Sequence, residues 1–250
     1  MIINHPQPGD IVGLRLLWQE AFGDSDSFLD GFFRTGFHPE RCRLILEKGE
    51  PAAALYWFDC WLGGEKLAYI YAVATAKAYR GQGLCSRLMT DTHRLLQARG
   101  YAAAVLVPGN RKLFTLYEKL GYKTFCPMEL KEISAGKKKL PFRSVSFADY
   151  NLLRRQLLPE HGILQESSAP YLATFTDFYA GEGFLACLSR EEDTLYFQEY
   201  LGDPRLLPAL VAALSARKAS LRLPGGRDYA MYYPLKDTDL SHAYLGISLG

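Results

Sequence analysis

The 250-residue sequence has no long apolar run and almost no net charge. No stretch approaches the roughly 20 apolar residues of a membrane-spanning helix. The first residues, Met1-Ile-Ile-Asn-His-Pro, do not have the basic start and apolar centre of a signal peptide. The formal net charge of +2 gives no support to a nucleic-acid surface. We therefore expect neither a membrane nor a nucleic-acid partner.

Cysteine is also scarce, and its spacing excludes two common roles. The five cysteines are scattered and form no Cys-x-x-Cys pair: Cys42, Cys60, Cys85, Cys126 and Cys187. This pattern argues against a zinc site and against a disulfide framework, and it suits the reducing cytoplasm. A hydrophobic content of 48% with 22% charged residues is typical of a globular protein. We expect free thiols and no bound metal.

Residues 71–86, YAVATAKAYRGQGLCS, carry the strongest functional signal. The apolar run Lys66–Thr75 predicts a strand, and the leucine spacing of Leu84–Arg99 predicts a helix. A basic turn with two glycines, residues 80–83, separates them. A helix N-terminus offers about four unpaired backbone N–H groups and a partial positive charge. The turn therefore predicts a pyrophosphate-binding loop. The stretch contains neither G-x-G-x-x-G nor Gly-Lys-Ser/Thr, so neither a Rossmann fingerprint nor a P-loop fits.

Two segments resemble motifs of the GCN5-related N-acetyltransferases (GNAT). The loop resembles motif A, an acyl-CoA loop that reads Arg/Gln-x-x-Gly-x-Gly/Ala between the fourth strand and the third helix. Arg80 and Gly83 match its first two fixed positions, and Cys85 replaces the usual glycine or alanine. Residues 110–122, NRKLFTLYEKLGY, resemble motif B, Leu-Tyr-x-x-x-Gly-Phe/Tyr.

The predicted order of elements also resembles that family. Apolar spacing predicts helices at Gly9–Gly23, Asp26–Thr35, Leu84–Arg99 and Arg111–Leu120. Strands are predicted at Arg41–Glu47, Ala52–Trp61, Lys66–Thr75, Tyr101–Val107 and Lys123–Leu130, with Ile2–Asn4 as the first. The resemblance implies an α/β (α+β) GNAT fold. Its sheet would be mixed, mostly antiparallel and flanked by helices, with splayed central strands.

The resemblance covers residues 1–133, which we predict to be the acetyl-CoA-binding catalytic domain. Residues 134–141 read as a linker. In residues 142–250 the helix and strand order recurs, with helices at Phe147–Leu158, Pro170–Phe178 and Asp203–Ala216. Here Asp203 would place a carboxylate where a pyrophosphate should lie. We therefore predict a second, smaller, degenerate GNAT-like domain without a CoA loop, which shapes the acceptor site or an oligomer interface.

The resemblance also implies which residues hold the cofactor, acetyl-CoA. Pantetheine and oxyanion contacts would come from the end of the fourth strand: Val73, Ala74 and Thr75. The pyrophosphate would be wrapped by Arg80, Gly81, Gln82, Gly83, Leu84, Cys85 and Ser86. Asn110 would contact the cofactor, cap its helix, or do both. The thiol of Cys85 is either activated by the helix N-terminus or an inert small residue.

Motif B implies one catalytic residue, Tyr117. A phenol beside the sulfur can protonate the thiolate that leaves when an amine attacks the thioester. The alternative is that Tyr117 is one more aromatic residue on the apolar face of its helix. The amine must also lose a proton, and no motif identifies the base. The candidates are Glu20, Asp24, Asp26, His38, Asp59 and the terminal carboxylate of Gly250, and a relay through water would make a base unnecessary.

The implied reaction is transfer of an acetyl group from acetyl-CoA to a primary amine, by direct attack in a ternary complex. The acceptor is a small molecule or an amine of a peptide or protein. Five aromatic residues either pack in the core or line an acceptor pocket: Tyr56, Trp57, Trp61, Tyr69 and Tyr71. The rival from another class is a non-catalytic acyl-CoA sensor. Transfer from an aminoacyl-tRNA is disfavoured by the near-neutral charge.

Overall fold

The computed structural model describes residues 3–247 and 249 and divides the chain into two compact units. The first unit is Met1–Lys123 with Met231–Asp239, and the second is Thr124–Ala230 with Leu240–Gly250. Each unit contains one sheet, and each sheet is flanked by helices. Among the helices of the described residues, none has the length and apolarity that crossing a bilayer requires.

Within the described residues, the first half of the chain contains four α-helices and six strands, numbered in chain order. The helices are α1 Ile11–Phe22, α2 Asp26–Thr35, α3 Leu84–Ala98 and α4 Arg111–Lys119. The strands are β1 Ile3–Asn4, β2 Cys42–Glu47, β3 Glu50–Leu62, β4 Glu65–Thr75, β5 Ala103–Leu106 and β6 Lys123–Phe125. Local chemistry sets several of these ends. Ser25 caps α2 by accepting from the Phe28 N–H, and Gly23 ends α1 in the left-handed conformation.

The second half, as far as the structure describes it, continues with three α-helices and seven strands. The helices are α5 Phe147–Leu157, α6 Ala169–Leu172 and α7 Leu207–Ala213. The strands are β7 Met128–Ser134, β8 Arg143–Ser144, β9 Asp177–Gly181, β10 Phe184–Glu191, β11 Thr194–Gly202, β12 Lys218–Pro224 and β13 Ala230–Pro234. The helix predicted at Pro170–Phe178 is therefore shorter than expected, because residues from Asp177 onward pair with β10 as strand β9.

The first sheet has the strand order β1-β2-β3-β4-β5-β13-β6. Strands β2, β3 and β4 form the predicted antiparallel meander, and β4 pairs with β5 in parallel. Strand β13, from near the end of the chain, pairs antiparallel with β5, from Met231↔Leu106 to Pro234↔Ala103. The segment Tyr229–Tyr233 was predicted to belong to the second domain. The strand observed here, Ala230–Pro234, belongs instead to the first sheet, where Met231 is fully buried in the core.

The predicted boundary at residue 133 also differs from the structure. The strand predicted at Lys123–Leu130 is two strands, because Cys126 adopts a φ of +51° and Pro127 follows it. Strand β6 before this break is in the first sheet, and β7 after it pairs with β12 in the second sheet. The predicted linker 134–141 therefore lies within the second unit. Backbone hydrogen bonds from Ala135 to Arg217 and from Gly136 to Pro208 fix its start there.

The second sheet has the strand order β7-β12-β11-β10-β9-β8. Its interior contains a buried ion pair: Arg154 Nε and Nη2 donate to the two carboxylate oxygens of Glu199 at 2.7 and 2.8 Å. The Tyr150 hydroxyl donates to the same carboxylate at 2.7 Å. Because each charged group has several partners, the burial of the pair is compensated.

Candidate functional site

The central strands of the first sheet separate at one end. Parallel pairing between β4 and β5 runs from Leu67↔Ala103 to Tyr69↔Val105, and within the described residues it stops there. Strand β4 continues to Thr75. Its other edge remains paired with β3, for example at Ala74↔Ala54. The backbone of β4 beyond Tyr69 therefore no longer pairs with β5, as the predicted splay requires.

A β-bulge at Ala72 lies in the part of β4 that pairs with β3 but no longer with β5. The register against β3 shifts between Ala54↔Ala74 and Tyr56↔Tyr71, and Ala72 has a φ of +47°. A positive φ is strained for alanine and is found mostly where the surrounding structure imposes it, often at functional sites. The bulge changes the direction of the backbone just before Val73–Thr75. Sequence reasoning missed it because alanine gives no local signal for a left-handed conformation.

The glycine loop follows β4 and is exposed. Gly81 and Gly83 have φ values of +77° and +76°, and no atom lies within 4 Å of a Cβ built on either residue. Their surroundings are therefore open, and the conformation is one that glycine adopts without strain. Arg80 Nε donates to the Thr75 carbonyl at 3.0 Å, and Gln82 Nε2 donates to the Ala78 carbonyl at 3.2 Å. These bonds tie the loop to the end of β4.

Helix α3 begins directly after the loop, with Gly83 as its N-cap. The first helical hydrogen bond runs from the Arg87 N–H to the Gly83 carbonyl. The N–H groups of the first turn, from Leu84 to Ser86, precede this bond and have no acceptor within the helix. Leu84 is buried and anchors the turn, whereas Ser86 is half-buried. The arrangement matches the predicted cradle for a pyrophosphate.

Cys85 packs against the core of the first unit from the first turn of α3. Its side chain is half-buried, and burial raises the pKa of the thiol. A raised pKa keeps the thiol protonated at neutral pH, so the geometry favours the inert small residue over the activated thiol.

Tyr117 on α4 is 5% exposed, and its ring lies 5.5 Å from that of Tyr122, centroid to centroid. Burial raises the pKa of the Tyr117 phenol well above its usual range, and the nearby Cys85 adds to the increase. The phenol is therefore protonated throughout the neutral range and can act only as a proton donor there. The structure brings Tyr117 close to the start of α3, although its burial is also that of a core aromatic residue.

The capping role of Asn110 is confirmed. Its Oδ1 atom accepts hydrogen bonds from the N–H groups of Lys112 and Leu113 at 3.1 and 3.3 Å. This oxygen therefore serves the N-terminus of α4, and the amide Nδ2 is the group left to face a ligand.

Asp59 is not near the loop, and its contacts do not favour it as the base. It lies opposite Ala68 on β4, seven residues before Thr75, which corresponds to roughly 23 Å along the strand. Its Oδ1 accepts from the Tyr101 hydroxyl at 2.5 Å, and its Oδ2 lies 3.1 Å from Lys66 Nζ. The interruption that Asp59 makes in an aromatic strand is thus explained by this ion pair.

Glu20 is the candidate base that the structure brings to the loop. Its Oε2 atom accepts from the N–H of Lys77, in the turn between β4 and the glycines, at 3.0 Å. The carboxylate of Asp24 instead accepts from the Trp18 indole N–H at 2.8 Å. Asp26 accepts from the Gln19 amide, and His38 accepts from a backbone N–H two residues on. Gly250 lies outside the described residues.

The strand aromatics form core packing on both faces of the first sheet. Tyr56 and Tyr71 meet Trp18 of α1 at centroid distances of 5.3 and 5.5 Å. On the opposite face Trp57 is buried, and its indole N–H donates to Tyr101 at 3.3 Å. Among the described aromatics the pattern favours core packing over an acceptor pocket. Tyr69 is also buried, whereas Trp61 is half-buried.

The first unit is therefore an α/β domain whose mixed sheet has separated central strands, a bulge and a glycine loop at a helix N-terminus. Residues 3–125 match the family described as the acetyltransferase (GNAT) domain. This part of the chain belongs to the GCN5-related N-acetyltransferase family, a family of acyltransferases that typically bind acyl-CoA. No curated protein matches the sequence significantly.

Solved structures similar to this chain share its fold along most of its length. A GCN5-related N-acetyltransferase from Kribbella flavida has a TM-score of 0.71 at 16% identity, over 93% of this chain and 70% of that one. A putative acetyltransferase from Pyrococcus horikoshii has a TM-score of 0.67 at 16% identity, over 98% and 93%. A tandem GNAT protein from the clavulanic acid biosynthesis pathway has a TM-score of 0.57 at 8% identity, over 94% and 98%. The predicted fold class is confirmed.

Proposed function

We propose that this protein is an N-acetyltransferase that moves an acetyl group from acetyl-CoA to a primary amine. The observation that carries the proposal is the continuous path from the bulged end of β4 through the glycine loop to the N-terminus of α3. Backbone groups of Val73–Thr75 are available to the pantetheine arm and the thioester carbonyl because β5 no longer pairs with this part of β4. The exposed N–H groups after Gly83 suit the pyrophosphate.

The reaction is direct attack in a ternary complex. The amine nitrogen bonds to the thioester carbon, the carbonyl oxygen gains negative charge, and collapse expels the CoA thiolate. A backbone N–H of β4 would stabilise the developing oxyanion, with a contribution of roughly 3–4 kcal/mol for one well-placed donor. Tyr117 would protonate the thiolate, which suits a phenol that stays protonated at neutral pH. The attacking amine would lose its proton to Glu20 or to water.

The second unit is proposed to be a GNAT-like domain that has lost its cofactor loop. Asp203 occupies the position that corresponds to the glycine loop. Its carboxylate accepts from the Arg205 N–H at 2.9 Å and pairs with the Arg205 guanidinium at 2.6 Å. A carboxylate there disfavours a pyrophosphate. One cofactor site per chain is therefore expected.

The cytoplasm is the compartment we propose. All five cysteines are free thiols, and Cys42, Cys60, Cys126 and Cys187 are buried. A reducing environment preserves this state.

A panel of primary amines tests the proposal. The protein is mixed with acetyl-CoA and each amine, from small polyamines to peptides, and release of the CoA thiol is measured. Thiol release that requires a particular amine supports the enzyme and names the acceptor class. Binding of acetyl-CoA without release across the panel would favour the non-catalytic sensor instead. If acetyl-CoA does not bind, both the enzyme hypothesis and the sensor hypothesis are wrong.

A further inference from the structure

A cavity of about 310 Å³ lies at the opposite end of the first sheet from the glycine loop. Lys66 lines this cavity and lies at the start of β4, whereas the loop follows Thr75 at the end of that strand. Nine residues of extended chain correspond to roughly 30 Å. The wall is polar and charged: Arg41, Asp59, Lys66, Arg99 and Tyr101, with His38 and Glu40 at the rim.

Positive charge exceeds negative charge in this cavity. Three cationic side chains face two carboxylates, and both carboxylates are occupied. Glu40 is bound by Arg99, whose Nη2 lies 2.9 Å from Oε2 and whose Nη1 donates to the Glu40 carbonyl. The Asp59 carboxylate is held by Tyr101 and by Lys66. Each of the two acids thus has a cationic partner within hydrogen-bond distance, and one cation has only a longer ion pair.

The remaining cation is Arg41. Its Nη1 atom is 3.9 Å from Asp59 Oδ2, beyond hydrogen-bond distance. Its Nε atom is buried and has no hydrogen-bond partner, and among the described residues it is the one buried side-chain nitrogen or oxygen in that state. A buried donor without an acceptor costs free energy. An oxyanion bound to this guanidinium would supply the acceptor that the side chain lacks.

We propose that this cavity binds a small oxyanion, a carboxylate or phosphate group, through Arg41 and Lys66. The planar guanidinium matches two oxygens of such a group, and the ammonium adds a point charge with further donors. A cationic ligand is excluded because both carboxylates are already paired. The site does not depend on the transferase reaction, and its distance from the loop separates it from the cofactor.

Calorimetric titration of the intact protein tests the site, with inorganic phosphate, acetate and chloride as probes at constant ionic strength. Arg41→Gln removes the charge but keeps a polar side chain of similar length. Arg34→Gln is the matched control, since Arg34 is an exposed arginine of the same unit. Gly83→Glu blocks the glycine loop, which is the other place where phosphate could bind. A melting curve of each variant without ligand establishes that it is folded.

The expected result is binding of phosphate or acetate that weakens about tenfold or more in Arg41→Gln, since hydrogen bonds to a charged group contribute at least that factor. Affinity should stay within about twofold in Arg34→Gln and Gly83→Glu. Preference for phosphate identifies a phosphate-bearing ligand, and preference for acetate a carboxylate-bearing one. No binding beyond that of chloride, equal binding in Arg41→Gln, or loss in Gly83→Glu alone would each overturn the proposal.

Discussion

The imidazole of His93 lies flat against the phenol ring of Tyr233, with the ring centroids 4.0 Å apart and the planes 11° from parallel. His93 is on α3, the helix that begins at the glycine loop, and Tyr233 is on β13. The Nε2 atom of His93 is also 2.8 Å from the hydroxyl oxygen of Tyr122. The imidazole ring is thus held by stacking on one face and by a hydrogen bond at its edge. The position of α3 therefore depends on a strand from near the end of the chain.

The first prediction concerns pH. Burial lowers the pKa of His93 to about 4, against 6.5 for the free side chain. Between these values the unfolded chain binds a proton at His93 and the folded chain does not. The free energy of unfolding therefore keeps its full value above about pH 6.5. It decreases as the pH drops, by about 3 kcal/mol at pH 4. Urea denaturation from about pH 7 to pH 4 should show this loss. The loss of unfolding free energy should be about 3 kcal/mol smaller in His93→Gln than in the unmodified protein. It should be unchanged in His38→Gln, because His38 is exposed. An equal loss in all three proteins would contradict the prediction.

The second prediction is that residues 1–133 do not form a stable domain alone. Without β13, the β5 edge is exposed and Met231 is missing from the core. Residues 1–125 joined by a short glycine-serine linker to residues 230–239 should fold, because β6 and β13 are neighbours in the sheet. Thermal unfolding followed by circular dichroism compares the two. A cooperative transition at the same temperature in both would show that β13 is dispensable.

The third prediction tests the glycine loop. Acetyl-CoA at about 100 times its Kd should raise the melting temperature by about 5 °C or more. Gly83→Glu should abolish the increase, since it strains a φ of +76° and puts a carboxylate at the pyrophosphate position. Gly49→Glu is the matched control, because Gly49 also has a positive φ and open surroundings. Loss of the shift in both variants, or in neither, would refute the loop assignment.

The fourth prediction separates the two interpretations of Tyr117. As the proton donor, Tyr117→Phe should lower kcat about 100-fold while the Kd for acetyl-CoA changes less than about twofold. Tyr232→Phe removes another buried hydroxyl of the first unit, bonded to Asp239, and should leave kcat unchanged. Steady-state kinetics and calorimetry provide both quantities. If kcat is unchanged in Tyr117→Phe, Tyr117 is a core residue only.

The fifth prediction concerns Glu20. Glu20→Gln keeps an oxygen that can accept from the Lys77 N–H but removes the basic carboxylate. If Glu20 takes the proton from the amine, kcat near pH 7 should fall about tenfold or more. Asp26→Asn, an exposed acid of the neighbouring helix, serves as the control. An unchanged kcat in Glu20→Gln would assign the proton to water.

Local patterns were sufficient to predict most elements of the first unit. The bounds of α2 are those predicted, because Ser25 supplies a cap and Phe28–Phe33 an apolar face. The meander followed from turns too short for any crossover. The glycine loop was readable because two glycines precede an apolar helix. Each of these features depends on residues that are neighbours in sequence.

Long-range and strained features could not be predicted from the sequence. The five residues of β13 look like any short strand, and only the free edge of β5 determines where they pair. The bulge at Ala72 depends on the register against β3 rather than on alanine itself. Asp59 was a candidate base because the sequence showed which strand contains it but not at which end of the first sheet it lies. The excess positive charge at Arg41 could be recognised only once the positions of four other side chains were known.

The insertion of β13 between β5 and β6 also sets an order of events during synthesis. Val105 and Tyr232 pair although they come from opposite halves of the chain. The chain must therefore be synthesised at least as far as Pro234 before the first sheet can close. Until then the edge of β5 is open to other chains, and such edges promote aggregation. The edge of β5 therefore stays exposed while the segment Thr124–Ala230 of the second unit is being synthesised.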